Sequence, residues 1–286
     1  MAIPSKQQWL TDTLVVIVLY KMALEDSPTF VTLGKALESN DSRLDLFVYD
    51  NSPTCKESNK NNLWHIEYRH NPDNAGVSRS YNEAKDWALK IGKRWLLLVD
   101  QDTEFPSNAL SSYYQSLQEE PDQECFVPRL IDHRGLLSPF RFHLGNGFRI
   151  GSISAGIHPL KKLQFINSGM LIHMETFVKA GGFNEKLKLD FSDLSFIERL
   201  RRIISHFVVV DFTAHHSLSG AVNSHVLQML GRFKSYCQAA KEFNNSELKN
   251  LSLSFYLFPR ALKLCMTYRT WVFMLVAWQT LRTRHA

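Results

Sequence analysis

Short runs of apolar residues recur along the first third of the chain. Residues 14–20 and 95–99 are apolar throughout, and residues 44–49 are interrupted only by Asp45. Continuous apolarity is typical of strands that are buried on both faces, as in parallel sheets. Residues 64–69 form a shorter candidate strand. These segments predict four strands of one central sheet.

Helical periodicity separates these strands. Residues 29–37 are predicted as a helix, and within residues 80–91 the apolar side chains recur at spacings of three and four. Ser80 and Glu83 match a capping box at the start of this second helix. Strands that alternate with helices predict an α/β fold, with a mostly parallel, Rossmann-like sheet flanked by helices.

The pattern is less regular after residue 104. Strands are predicted at 125–130 and 207–212, and a strand interrupted by Ser168-Gly169 is predicted at 164–173. Residues 132–162 show no clear period and are expected to form a long loop region. From residue 223 the apolar spacing is helical. We therefore expect an α/β domain over residues 1–222 and a helical C-terminal extension over residues 223–286.

Acidic residues follow two of the predicted strands. Asp50 comes directly after residues 44–49, and Asp100-Gln101-Asp102 comes directly after residues 95–99. Ligands of open α/β sheets bind at the carboxyl ends of the strands. Two carboxylates two residues apart can hold a hard divalent cation such as Mg²⁺ or Mn²⁺, which can bridge two phosphates. A polar turn after a strand would explain the same residues.

Composition narrows the function classes only in part. The 286 residues carry a formal net charge of +5, which suits anionic partners without selecting among them. The basic residues form no dense stripe with interleaved aromatics, so nucleic-acid binding is not expected. Four scattered cysteines disfavour a disulfide framework or structural zinc. Without a secretory pattern or an apolar run of membrane-spanning length, the sequence predicts a cytoplasmic protein.

Six segments, taken in order, resemble the inverting family-2 glycosyltransferases of the GT-A fold, most of all the bacterial rhamnosyltransferase-like members. The similarity covers about residues 12–220. The matching segments are 14–20 (LVVIVLY), 48–52 (VYDNS), 74–82 (NAGVSRSYN), 96–103 (LLLVDQDT), 167–169 (NSG) and 181–185 (GGFNE).

The resemblance implies transfer of a sugar, for example rhamnose, from a nucleoside-diphosphate donor to a carbohydrate or lipid-linked glycan acceptor. It implies a nucleotide-sugar half over about residues 12–104 and an acceptor half over about residues 125–222. Asp102 would be the principal metal ligand, and Asp100 would face the metal or the donor. His216 would approach the metal or the diphosphate, unless it is an ordinary loop histidine.

Further roles near the donor follow from the same resemblance. Asp50 would accept a hydrogen bond from the imide N–H of uracil or thymine, which favours a UDP- or dTDP-sugar; its structural alternative is to cap a turn. The remaining donor-binding residues would be Asn51, Asn74, Gly76, Arg79 and Gln101.

A general base is expected in the acidic segment 190–193. An inverting transfer is a single in-line displacement, so a carboxylate must take the proton from the acceptor hydroxyl. Alignment with the family places this base at Asp193, with Asp190 as the second choice. Ser192 would cap the following helix, and the helix dipole would keep Asp193 ionised. Both aspartates could instead only cap the helix. Ser195 stands where the family often has another acid.

Large apolar residues and basic residues are mixed in residues 251–281. Such a segment suits a peripheral position at the inner face of the cell membrane, with Trp271, Phe273, Leu275 and Trp278 in the lipid and Arg260, Lys263, Arg269, Arg282 and Arg284 at anionic headgroups. Packing on the catalytic domain, or on a second subunit of a homo-oligomer, explains the same residues. Both interpretations stay open.

Two other function classes remain. An aspartyl-nucleophile phosphohydrolase also carries Asp-x-Asp after an apolar strand. It usually has the motif on its first strand, with Thr or Val two residues after the second aspartate, where this chain has Glu104. A non-catalytic sugar-nucleotide-binding protein would have a degenerate site, to which Ser195 is a weak pointer.

Overall fold

The computed structural model describes residues 4–38, 43–55, 62–143, 146–217, 225–247 and 253–282. Its helices and strands are, in chain order, α1 (Lys6–Thr11), β1 (Thr13–Leu19), α2 (Pro28–Glu38), β2 (Leu44–Asp50), β3 (Trp64–His70), α3 (Val77–Lys90), β4 (Trp95–Asp100), β5 (Thr103–Glu104), α4 (Ala109–Glu119), β6 (Cys125–Asp132), β7 (Gly135–Ser138), β8 (Phe140–His143), β9 (Asn146–Arg149), β10 (Gly156–Pro159), β11 (Met170–His173), α5 (Met174–Lys179), α6 (Ser192–Leu200), β12 (His206–His216), α7 (Val226–Ser246), α8 (Ser254–Tyr268) and α9 (Val272–Arg282).

The main sheet of the described residues has the strand order β10-β12-β6-β11-β4-β1-β2-β3. β3, β2, β1 and β4 run parallel to one another, which confirms the four strands predicted in the first third of the chain. β11 lies antiparallel between β4 and β6, whereas β12 is parallel to β6. The short strands β5 and β7 pair with β12 and β6. The predicted α/β fold is confirmed.

Two apolar layers cover the sheet because its strands present alternate residues to opposite faces. In β1, Val15 and Ile17 pack with Leu33 of α2 and Tyr113 of α4, whereas Val16 packs with the α3 and α6 side of the sheet. All seven residues of β1 are buried. Continuous apolarity in the sequence therefore corresponds to a strand covered on both faces.

Three local predictions were wrong. Residues 132–162 contain the short strands β7, β8, β9 and β10, which are too brief to give a detectable period. The helix predicted over residues 80–91 begins at Val77, and Ser80 lies inside it, where its hydroxyl donates to the Gly76 carbonyl (2.9 Å) rather than capping. β12 continues past residue 212 to His216, since its second half pairs with β6.

The last three helices build a core of their own, in which α7 packs against α8 and α9. Leu187 belongs to this core, and Phe191 and Leu194 pack against it, so the sheet domain and the helices share one apolar contact region. None of the described helices is both long and apolar enough to cross a membrane. The boundary predicted between residues 222 and 223, and Arg284, lie outside the described residues.

Candidate active site

A cavity of about 660 Å³ opens where the parallel strands β1, β2 and β4 end. Its volume lies within the range of small-molecule sites. Eight residues singled out from the sequence line it, and they come from both halves of the chain. They are Asn51, Asn74, Gly76, Asp100, Gln101, Asp102, Asp190 and His216.

Asp100, Asp102 and His216 form a group that can hold a metal ion. One ligand atom from each lies within 4.8 Å of the others. The β5–β12 ladder creates this proximity, because it pairs Thr103 with His216 directly after the acidic turn Asp100–Asp102. The Asp102 Oδ1 atom lies 3.7 Å from His216 Nδ1. Two hard carboxylates and one imidazole fit a divalent cation such as Mn²⁺ or Mg²⁺.

Burial and mutual repulsion act on the two carboxylates. Burial raises the pKa of Asp102 to about 6, with a further contribution from the negative charge of Asp100 and an opposing one from His216. Burial also raises the pKa of Asp100, against the lowering effects of His216 and of the Tyr81 hydroxyl. Two buried carboxylates that oppose each other's ionisation favour a bound positive charge between them.

A chain of hydroxyl groups supports the histidine. The Thr103 hydroxyl lies 2.8 Å from His216 Nδ1 and 2.7 Å from the Ser168 hydroxyl, which accepts from the Asp100 backbone N–H (3.0 Å). When Nδ1–H donates to Thr103, and Thr103 donates to Ser168, the lone pair of the His216 ring is on Nε2. Ser168, from the predicted NSG segment, therefore connects both ligand strands.

Gln101 holds the acidic turn in place. Its side-chain amide accepts from the Tyr20 backbone N–H (2.8 Å) and donates to the Tyr20 carbonyl (3.3 Å). The hydroxyls of Ser27 and Thr29 donate to the carbonyls of Gln101 and Asp100 (2.7 and 2.5 Å). The turn is fixed by backbone and amide contacts, which leaves the carboxylates of the turn free to act as ligands.

The loop before α3 forms a second wall of the cavity. Gly76 has a φ of 88°, and a Cβ atom there would overlap the Lys188 backbone. The Val77 N–H donates to the Lys188 carbonyl (2.8 Å), and Lys188 Nζ donates to the Asn74 carbonyl (3.4 Å). Glycine is therefore required where this loop touches the residues directly before the acidic segment 190–193.

Asp50 and Asn51 occupy different positions. Asp50 is fully buried, and its two oxygens accept from the Ser52 N–H (2.8 Å) and the Tyr68 hydroxyl (2.5 Å). Asn51 lines the cavity and donates to the Ser80 hydroxyl (3.1 Å), while its buried Oδ1 atom has no protein partner. The acceptor without a partner at this end of β2 thus belongs to Asn51.

Arg79 does not line the cavity. Its side chain is 53% exposed on the first turn of α3, and its Nε atom pairs with Glu83 at 3.0 Å. The glutamate predicted to cap α3 therefore binds a neighbouring side chain of the same helix instead. A role for Arg79 near the phosphates stays a prediction.

The acidic segment 190–193 holds its two aspartates in different places. Asp190 lines the cavity and accepts two hydrogen bonds from the guanidinium of Arg232. Phe191 adopts a left-handed conformation (φ 63°), with its ring 5.0 Å from that of Tyr236. Asp193 lies half-buried behind the lining of the cavity and accepts from Asn167. The left-handed residue Phe191 lies between the two aspartates, whose carboxylates face different surroundings. A left-handed backbone in an aromatic residue needs tertiary support, which the contact with Tyr236 provides.

Two details of this turn differ from expectation. Phe191, not Ser192, precedes the first residue of α6, and the Ser192 hydroxyl lies 2.9 Å from that of Ser78. Asp193 does lie in the first turn of α6, but burial, aided by the charge of Asp100, raises its pKa to about 8. Desolvation outweighs the helix dipole, so in the absence of a cation the dipole does not keep Asp193 ionised at neutral pH.

The remaining wall of the cavity was not predicted. α7 contributes Arg232, Ser235, Gln238 and Ala239, and the segment before α6 contributes Lys186 and Lys188. The only sequence signal for the residues of α7 was the helical period of the tail. On α6, Arg199 pairs with Glu247, and the Arg201 guanidinium that follows the helix donates to the Leu163 carbonyl.

The fold has counterparts among solved structures. S. aureus TarS residues 1–349 superposes with a TM-score of 0.51 and 14% identity, over 86% of this chain and 69% of that one. Its complex with UDP-GlcNAc gives a TM-score of 0.52, also at 14% identity, over 90% and 73%. The chain has a GT-A-type fold. No protein-family model and no curated protein sequence matches it.

Proposed function

We propose that the chain is an inverting glycosyltransferase. It transfers a sugar from a nucleoside-diphosphate donor to a carbohydrate or lipid-linked glycan acceptor, with the help of Mg²⁺ or Mn²⁺. One observation carries the proposal. Asp100, Asp102 and His216 converge from two distant strands beside a cavity of about 660 Å³, at the carboxyl edge of a GT-A-type sheet.

The side chains of the candidate metal site suit a cation that binds mainly oxygen ligands. Asp100, Asp102 and His216 would hold it, with Thr103 behind the imidazole. Bound there, a divalent cation would offset the negative charge that develops on the diphosphate leaving group. The imidazole makes Mn²⁺ a good candidate beside Mg²⁺.

The residues of the chain have distinct tasks in this proposal. Asn51, which lines the cavity at the end of β2, lies beside the nucleotide base. Lys188 supplies positive charge at the mouth of the cavity. Asp193 removes the proton from the acceptor hydroxyl as its oxygen attacks the anomeric carbon, and a single displacement of this kind inverts that carbon. Arg232 already engages both oxygens of Asp190, which favours Asp193 as the base.

The donor belongs to the UDP- or dTDP-sugars in this proposal. The complex of TarS with UDP-GlcNAc is a nucleotide-sugar complex of a protein with this fold. dTDP-rhamnose is the second donor to test, because of the resemblance to rhamnosyltransferase-like sequences.

Thermal shift with UDP-GlcNAc and dTDP-rhamnose, each with and without Mn²⁺, tests donor binding. A ligand selective for the folded state raises the melting temperature, and we expect the shift to require metal. Asp102→Ala should abolish the metal-dependent shift and the transfer of sugar. Glu119→Ala, an exposed acid on α4, is the control and should change neither. Retained turnover in Asp102→Ala would contradict the proposal. Donor binding without turnover on any acceptor mixture would favour a non-catalytic sugar-nucleotide-binding protein.

A further inference from the structure

Helices α8 and α9 expose a row of large apolar side chains, the C-terminal apolar face. Met266 and Trp271 are 74% and 71% exposed, and Leu275 and Trp278 exceed half. The complete face consists of Phe255, Leu262, Met266, Trp271, Leu275 and Trp278. Apolar patches of this kind on a soluble protein mark a surface that binds a partner.

The spacing of these residues makes the face continuous along each helix. Trp271, Leu275 and Trp278 recur at intervals of four and three, so they lie on one side of α9. Phe273, Val276 and Ala277 occupy the other side, buried against α7 and α8. Both sides of α9 are therefore apolar, and the fold of the chain covers only one of them.

The charges around this face have one sign. Lys263, Arg269 and Arg282 are exposed on the same two helices. No acidic residue occurs from residue 253 to residue 282. None of these three basic side chains forms an ion pair within the part of the chain that the structure describes. Exposed tryptophans flanked by basic residues match the interface of an anionic bilayer, where the rings enter the headgroup region and the cations remain at its surface.

A second copy of the chain is a poorer partner for this face. A twofold contact places the same patch on both subunits, so the basic residues of one copy would meet a surface whose charges are all positive. No acidic residue of α8 or α9 would compensate this repulsion. We propose that the C-terminal apolar face rests on an anionic lipid bilayer, with α8 and α9 lying in the plane of its surface.

The C-terminal apolar face lies outside the proposed active site, but its position bears on the proposed function. α7 lines the cavity through Arg232, Ser235 and Gln238, and packs against α8 and α9 through Phe233 and other buried residues. One helix thus lies between the face and the cavity. An acceptor anchored in the bilayer would meet the enzyme close to its cavity.

Vesicle flotation with the full chain tests the inference directly. Vesicles of phosphatidylcholine alone are compared with vesicles that also contain phosphatidylglycerol. We expect the wild type to float with the anionic vesicles only. Trp271→Ala combined with Trp278→Ala, and separately Lys263→Glu combined with Arg269→Glu, should each lower the bound fraction about tenfold, because each removes one of the two contributions to binding.

Matched controls separate a specific face from general stickiness and charge. Phe148→Ala removes a side chain that is 52% exposed on β9, and Lys161→Glu combined with Lys162→Glu reverses two exposed charges elsewhere. Both controls should bind anionic vesicles as the wild type does, and all variants should keep the wild-type melting temperature.

Three results would overturn the inference. These are a wild type that ignores anionic vesicles, equal losses in the control variants, or a wild-type dimer that the double tryptophan variant converts to monomers. The last result would assign the face to a second copy. Vesicle binding needs neither donor nor metal, so its failure is distinct from failure of the proposed glycosyltransferase activity.

Discussion

Thr103 has a demanding position for a single side chain. It is fully buried, follows the acidic turn directly, and its hydroxyl lies between Ser168 and His216. The ring nitrogen that binds a metal is selected by the hydrogen bond of the other nitrogen. A hydroxyl that accepts from Nδ1–H fixes the tautomer in which Nε2 can bind, so we expect Thr103 to tune metal affinity without touching the metal.

Thr103→Val keeps the shape of the side chain but removes this hydrogen bond. We expect the affinity for Mn²⁺ to fall about tenfold or more, as for other partners of metal-binding histidines. Titration calorimetry with Mn²⁺ measures the change, and Thr103→Ser, which retains the hydroxyl, should restore most of the affinity. Equal affinity in the valine variant would show that Thr103 does not position His216.

Asp193 makes the proposed transfer dependent on pH. Burial raises its pKa to about 8, well above the usual value of an aspartate, so without a cation the carboxyl is protonated over most of the acidic and neutral range. A base must be ionised. We therefore expect kcat/KM to rise with pH and level off above about pH 8. Saturating Mn²⁺ should move this inflection to lower pH, because a cation near Asp100 offsets the charge that raises the pKa.

Asp193→Asn tests the assignment itself. We expect transfer to fall at least about 100-fold while donor binding in the thermal-shift assay persists, since the amide cannot take a proton. The same folded-state pKa has a consequence for folding. The stability that protonated Asp193 contributes is complete below about pH 4 and lost as the pH rises through 8, and the asparagine variant should lack this loss. Full activity of Asp193→Asn would move the base to Asp190.

At the scale of elements, the cavity depends on how its loops touch. The loop before α3 meets the segment before α6 at Gly76, where the backbone φ is positive and the Lys188 backbone is in contact. The contact leaves no room for a side chain. It joins the two walls of the cavity that carry Asn74 and Lys188.

Gly76→Ala should therefore destabilise the fold by at least about 2 kcal/mol, through backbone strain and displacement of Lys188, and should weaken donor binding. Gly92→Ala is the matched control. Its φ is +72°, but a Cβ atom there meets nothing within 4 Å, so only the strain of about 1 kcal/mol remains. Urea unfolding measures both changes. Equal losses would mean that the loop contact at Gly76 has no effect of its own.

At the scale of the whole molecule, α7 binds the helical tail to the sheet domain. Glu247, at the end of α7, accepts from the Ser195 hydroxyl (2.9 Å) and pairs with Arg199 (3.3 Å). Its side chain is only 4% exposed. Ser195 thus binds an acid from another element of the structure.

Glu247→Gln would leave Arg199, which is largely buried, without its countercharge. We expect a loss of about 2–3 kcal/mol in the free energy of unfolding, below the usual range for a fully buried pair because Arg199 keeps some exposure. Glu242→Gln removes a more exposed acid from the same helix and should cost less than about 1 kcal/mol. Chemical denaturation of both variants decides. A stable Glu247→Gln would show that other contacts hold the tail in place.

Local patterns were sufficient to predict part of this molecule. β1 and β4 are apolar over consecutive residues, and Asp100 and Asp102 follow a strand directly, so both could be found within a short window. Partners distant in the chain could not. Arg232 lies 42 positions after Asp190, and Glu247 lies 52 positions after Ser195. No period or motif signals such pairs, because tertiary packing alone brings them together.

The irregularity in β12 between Val209 and Thr213 has a consequence for the two adjacent histidines. Four steps along β12 lie opposite two steps along β6 there, so the shift preserves the alternation of the strand, with His215 exposed and His216 buried. Losing or gaining one residue upstream would exchange the two imidazoles without removing either. The chain therefore carries a second imidazole one step out of phase, and the register of β12, more than the identity of a side chain, decides which histidine meets the carboxylates.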